Sequence, residues 1–184
     1  MNTRLDTRVL VFLSLLIGIG AALHTIMPPI IFGVTPDLSL VMMMLGIILF
    51  PKGRYVLLAS LATGFISAMT TGFPGGQIAN IIEKPITAFI ILGMVKVLEK
   101  SMSKQKLAPT ITAIGTLISG GIFLFIPVVI MGLGNAGFSV LYASVVLPTA
   151  LLNTVLMIIV YPIVQNITKR TRISNETSNQ TKAA

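Results

Sequence analysis

Glu83 and Lys84 stand side by side in a stretch otherwise suited to lipid. With Gln77, Asn80 and Thr87 they fall within roughly 120° of one another, on a helix that turns about 100° per residue. Ile78, Ile82, Ile86 and Phe89 occupy the opposite side. A carboxylate and an ammonium on one face can hold the amino and carboxylate groups of a zwitterionic solute. They can also hold helices together, with Lys84 snorkelling outward and Glu83 pairing with a neighbouring helix. Ionisable groups inside a membrane-length helix are costly, so a functional site is the default expectation. Pro85 frees the carbonyl of Ile81 for another partner. As sequence neighbours about 100° apart, Glu83 and Lys84 are expected to edge a cavity without pairing directly.

Seven further residues belong to this chemistry. Asp37 follows Pro36 and reads as the N-cap of a short helix, or as the group that holds an amino group or a proton. His24 reads as a hydrogen-bonded packing residue or a proton relay. Asn153, mid-span, reads as inter-helix glue or a solute contact. Phe32, Phe65, Phe73 and Tyr142 together offer an apolar pocket. A metal site is not expected, because the chain has no cysteine and one histidine. Neither a Walker A sequence nor a nucleophile–base constellation is present, so neither ATP hydrolysis by that route nor an enzyme is expected, and no cofactor is implied.

These residues need elements to carry them. Of the 184 residues 54% are hydrophobic and only 10% charged. A soluble domain carries about 25% charged residues, so this chain cannot cover a water-facing surface. The class is all-α, a polytopic membrane protein of six transmembrane helices. The spans are expected at Val9 to about Met27, Leu38 to Phe50, Tyr55 to Met69, Gln77 to Leu98, Leu107 or Pro109 to Met131, and Phe138 to about Asn166. The first run is too long for the apolar region of a signal peptide and is read as a span. The second is only about 20 Å long, which implies a shallow start or a recessed outer end. Residues 1–166 form one membrane domain, and 167–184 read as a disordered cytoplasmic tail.

The basic residues supply an independent check. Arg4, Arg8, Lys52, Arg54, Lys96, Lys100, Lys104, Lys106, Lys169, Arg170, Arg172 and Lys182 all fall on one side of the six spans. The opposite connections, about 28–37, 70–77 and 132–138, carry none. That asymmetry places both termini in the cytoplasm. It also disposes of nucleic acid as the reason for a net charge of +8. Lys84 is the one basic residue that the pattern leaves inside a span. Ser14, Gly18 and Ala22 recur every four residues along the first helix, a spacing that suits an internal packing seam or a partner-docking face. Met42, Met43 and Met44 read as adaptable packing or a lipid-facing run.

Three stretches carry a resemblance to a known family: Ala22 to Pro29 (ALHTIMPP), Gly33 to Leu38 (GVTPDL), and above all Gly72 to Pro85 (GFPGGQIANIIEKP). Over roughly residues 9 to 165 the chain resembles the TrpP family of small bacterial tryptophan transport proteins. That family in turn is similar to the substrate-binding (S) components of energy-coupling factor (ECF) transporters. The resemblance implies an S-component-like bundle in the bacterial cytoplasmic membrane that takes up tryptophan from outside. It also implies partners, namely an ECF transmembrane subunit with two ATPases, met through a small-residue motif on helix one that Ser14, Gly18 and Ala22 match in spacing. On the polar-stripe argument, Glu83 is expected to meet the amino group and Lys84 the carboxylate. Gln77, Asn80, Asp37 and Thr87 complete the site. A solitary proton-coupled transporter, with Glu83 or Asp37 as carrier, and a non-transporting membrane scaffold are the competing expectations.

Overall fold

A computed structural model describes residues 5–28, 35–131 and 134–170. The described residues form helices α1 (Thr7–Ile26), α2 (Leu38–Leu49), α3 (Gly53–Thr70), α4 (Gly76–Leu98), α5 (Lys104–Met131), α6 (Gly134–Leu141) and α7 (Leu147–Arg170). A π-helical turn, Tyr142–Val146, joins α6 to α7, so the three run on as the sixth span. Phe32, Arg4, Arg172, Lys182 and the tail beyond residue 170 lie outside the described residues, as does most of the connection expected at 28–37. α7 continues through Arg170. Where a connection was expected at about 132–138, the chain is helical from Gly134. Low glycine helix propensity yields where a membrane leaves backbone amides no water to bond.

Among the described residues, three helices are long and apolar enough to cross a membrane on composition alone: Thr7–Ile26, Lys104–Val129 and Gly137–Arg170. α3 and α4, at 18 and 23 residues, have the length but carry polar faces, and those faces point inward. α3 buries Ser60, Thr63, Gly64 and Ser67; α4 buries Asn80, Glu83, Lys84 and Thr87. Outward they present Leu57, Leu61, Phe65, Ile78, Ile82, Ile86 and Phe89, all more than 40% exposed. Apolar residues so extensively exposed suit lipid rather than water.

α2 is the central element. It touches α1, α3, α4, α5 and α7, and every residue from Leu38 to Ile48 is buried. Met43 and Met44 have no exposed surface, so the methionine run is core. Around it pack Ile91, Leu107, Ile111, Met157 and Tyr161. The start of α2 is capped by Asp37, whose carboxylate accepts from the Leu40 amide at 2.9 Å. Its end falls at Phe50, just before Pro51. Asp37 pairs with Lys84, eight residues into α4, a depth of roughly 12 Å. The outer end of α2 is therefore recessed, and space remains above it.

Close approaches set the other helix positions. α1 meets α2 at Gly20, where an added Cβ would lie 2.9 Å from Met42 and 3.1 Å from the Leu38 carbonyl. Gly20→Val is therefore expected to destabilise the protein by about 1–3 kcal/mol, read as a lower midpoint in thermal unfolding in detergent. Gly120 lies against Val146 of the π turn, with no room for a methyl group. Pro148 follows that turn and lacks an N–H to continue regular α-helical pairing. The Asp6 amide donates to the Tyr55 hydroxyl at 2.9 Å, which gathers the starts of α1 and α3 at one end of the bundle. Arg8, Lys52 and Arg54 share that end, opposite the α3–α4 turn.

Candidate functional site

The α3–α4 turn is made by Gly72-Phe73-Pro74-Gly75-Gly76. Gly75 caps α4 with a φ of +75°, a conformation that disfavours side chains. An added Cβ there would also lie 3.2 Å from Pro127. The turn thus drops straight into α4, holds Phe73 over the bundle, and starts the helical register that carries Asn80 and Lys84 inward.

Between this turn and the recessed start of α2 lies a cavity of about 220 Å³. Its walls come from α1 (His24), α3 (Ser67), α4 (Asn80, Lys84), α5 (Thr116, Ser119, Gly120, Phe123, Leu124), the π turn (Val145, Val146) and α7 (Thr149), with Asp37 and Leu40 beneath. It is layered. The floor is charged: Lys84 Nζ lies 2.9 Å from Asp37 Oδ2 and 3.3 Å from Glu83 Oε2. Asn80 and Ser67 stand one turn further out, the Asn80 amide donating to the Gly76 carbonyl at 2.9 Å and to the Ser67 carbonyl at 3.4 Å. The roof is aromatic: Phe73 and Phe123 meet edge to face with ring centroids 5.6 Å apart.

The floor is well supported. Glu83 Oε1 accepts from Thr87 at 2.9 Å and from the Ser119 hydroxyl. Asn153 accepts from the Asp37 amide at 2.9 Å and donates to Thr116 at 3.3 Å, so it ties α7 to both α2 and α5. His24 Nδ1 stands 3.2 Å from the Pro36 carbonyl, a packing contact at the cavity wall. Asp37 remains 25% exposed, whereas Lys84 is 2% exposed and Glu83 wholly buried. Three ions so placed are tolerated because each has a partner.

The sequence expectations sort accordingly. Lys84, Asp37 and Asn80 line the cavity. Glu83 and Thr87 do not: they lie behind the wall, where Thr87 orients the Glu83 carboxylate and Glu83 contacts the Lys84 ammonium. The expectation that Glu83 and Lys84 avoid each other is corrected here, because the flexible lysine stem swings its charge back toward its neighbour. Gln77 is exposed; it sits at the edge of the polar sector in the first turn of α4. Among the aromatics Phe73 lines the cavity, while Phe65 is 62% exposed and Tyr142 donates to the Leu117 carbonyl at 3.1 Å. Ser67, Thr116, Ser119 and Phe123 went unremarked in the sequence. For the three hydroxyl residues the sequence holds a weak signal, since hydroxyls at Ser60, Thr63 and Ser67, and at Thr112, Thr116 and Ser119, each recur on one helix face; for Phe123 it holds none. Ser14, Gly18 and Ala22 are exposed, and nothing lies within 4 Å of a Cβ added at Gly18. Their stripe is an outer face of α1; the internal seam runs through Val9, Leu13, Leu16 and Gly20 instead.

The site lies in an apolar chain of six spans, and comparison with known proteins finds a matching family. Residues 6–169 match the family described as Tryptophan transporter TrpP. The chain belongs to that family. A probable tryptophan transport protein of Bacillus subtilis (strain 168) is 49% identical over 166 residues, covering 90% of this chain and 95% of that protein. One from Clostridium perfringens (strain 13 / Type A) is 35% identical over 179 residues, 92% of this chain and 98% of its own. A third, from Clostridium acetobutylicum, is 32% identical over 158 residues. No solved structure matches. As a TrpP-family member the chain is a membrane transporter and not an enzyme.

Proposed function

We propose that this chain takes up tryptophan across the bacterial cytoplasmic membrane, binding it from outside in the cavity between Phe73 and the start of α2. The observation that carries this reading is the Asp37–Lys84 pair at the cavity floor, 2.9 Å apart. A zwitterionic amino acid brings one charge of each sign. Its carboxylate can take Lys84 and its ammonium Asp37, so the internal pair opens and two new pairs replace it without a net change in charge. Glu83 stays behind as the fixed counter-charge that holds Lys84 in place. The volume, below the roughly 300–1,000 Å³ of drug-sized pockets, suits one small solute. The aromatic roof suits an indole ring. The chain contains no tryptophan, so fluorescence of a bound tryptophan reads occupancy directly. Titration of the purified protein with all twenty amino acids, followed by calorimetry and for tryptophan also by its blue-shifted emission, is expected to single out tryptophan. Equal binding of phenylalanine and leucine would defeat this assignment.

The orientation we propose has both termini in the cytoplasm, supported by the clustering of basic residues at the end opposite the cavity. For the energy source we propose an ECF-type arrangement, with a transmembrane subunit and two ATPases, docked on the α1 face of Ser14, Gly18 and Ala22. An exposed stripe of small residues lets a partner helix approach closely. The isolated chain in proteoliposomes is then expected to bind tryptophan without accumulating it, with or without a pH gradient. Gly18→Leu is expected to abolish uptake in cells while leaving binding intact. Accumulation by the isolated chain under an inward proton gradient would instead establish a solitary proton-coupled carrier.

A further inference from the structure

Two hydroxyls of α3, Thr63 Oγ1 and Ser67 Oγ, are buried and take no hydrogen bond among the described residues. Serine and threonine within membrane helices ordinarily donate to the carbonyl one turn back, as Thr112, Thr154 and Thr168 do here. An unpartnered buried hydroxyl has given up its bonds to water for nothing, so each needs a reason. Of the two, only Ser67 stands on the cavity lining; the residue is 6% exposed, its Oγ is itself covered, and a ligand would reach it by a turn of χ1.

Four of the other hydroxyls along the wall are already engaged, and Thr35 is only half-buried. Ser119 donates to Glu83, Thr116 accepts from Asn153, Thr149 donates to the Val145 carbonyl, and Thr71 accepts from the Phe73 amide. Ser67 is also at a particular height. A Cβ added at Gly64, one turn inward, would lie 3.3 Å from Lys84 Cβ, which is floor level. Thr71, one turn outward, adjoins Phe73 and the roof. Ser67 therefore stands above the charges that meet the amino and carboxylate groups, at the level of the side chain they would anchor.

Resting on the tryptophan reading of the cavity, we infer that Ser67 is the specificity-determining residue that accepts the indole N–H. The ring lies under Phe73 and Phe123, and its single donor needs an acceptor once it leaves water. Phenylalanine fills the same aromatic space but leaves Ser67 unpartnered, so the site rejects it for want of a bond rather than for size.

The test is calorimetric titration of the full chain with tryptophan and with 3-benzothienylalanine, which replaces the indole N–H by sulfur at nearly constant shape. The wild type is expected to prefer tryptophan by about ten-fold or more, the range of one hydrogen bond made in place of an unsatisfied group. Ser67→Ala is expected to weaken tryptophan by about that factor and leave the sulfur analogue unchanged, so that the preference disappears. Ser67→Cys keeps the volume and supplies only a weak acceptor, and is expected to behave like the alanine variant. Retention of the wild-type preference by either variant overturns the assignment of Ser67 while leaving the tryptophan reading standing. Failure of the wild type to bind tryptophan at all overturns both.

Discussion

Asp37→Asn is expected to lower tryptophan affinity by roughly 30- to 1,000-fold while the protein remains folded. Truncating one member of a desolvated charge pair costs about 2–4 kcal/mol, and each 1.4 kcal/mol is about a tenfold change. The substitution separates binding from architecture because asparagine caps a helix about as well as aspartate. The bond to the Leu40 amide, 2.9 Å in the native protein, can persist. Only the charge offered to the ammonium is lost. Asp37→Ala removes the cap as well, and should add about 1 kcal/mol of destabilisation. The measurement is the fluorescence titration described above, paired with a thermal melt in detergent. If Asp37→Asn binds tryptophan as the wild type does, the ammonium is held elsewhere and the exchange of ion pairs is wrong.

Lys84→Met is expected to be the most damaging single change in the molecule. It abolishes binding, because the carboxylate loses its partner, and it leaves two carboxylates, Asp37 and Glu83, facing each other in the interior without a cation. Breaking a buried ion pair on one side costs about 3–5 kcal/mol, a large share of the stability of a small domain. Adding Glu83→Gln to Lys84→Met is expected to restore much of the stability and none of the binding. That non-additivity distinguishes a charge defect from a packing defect, since the two residues contact at 3.3 Å. Additive losses in the double variant would mean that Lys84 matters for its stem rather than its charge.

What sequence could disclose follows from where free energy is concentrated. Six spans and their turns were legible because a bilayer admits few alternatives: Pro28, Pro51 and the Gly72–Gly76 turn mark ends, and polar groups that cannot face lipid announce an interior. Lys84 was legible for the same reason. The partner of Lys84 was not. Asp37 is 47 positions away, and no local pattern in α4 says which neighbouring helix end will stop level with it. Nor did the spacing of Glu83 and Lys84 reveal that one would line the cavity and the other stand behind it. A side chain with four methylenes can bring its charge back toward its neighbour, which helical angles alone do not capture. Ser119 and Ser67 were hidden for a different reason. A hydroxyl in a membrane helix can satisfy itself on its own backbone at no visible cost, so its sequence position carries little signal until tertiary structure shows which ones have not done so.

The short central helix has one more consequence. Below Asp37, α2 fills the middle of the bundle with Leu40, Met43, Met44, Leu45 and Ile47, none more than 1% exposed. A membrane holding 100 mV stores about 2.3 kcal/mol for each elementary charge that crosses it. A water-filled path through six helices would discharge it continuously. The methionine and leucine plug is the electrical insulation of the protein. A core packed in this way offers an amino acid no path that the turning of a few side chains would open.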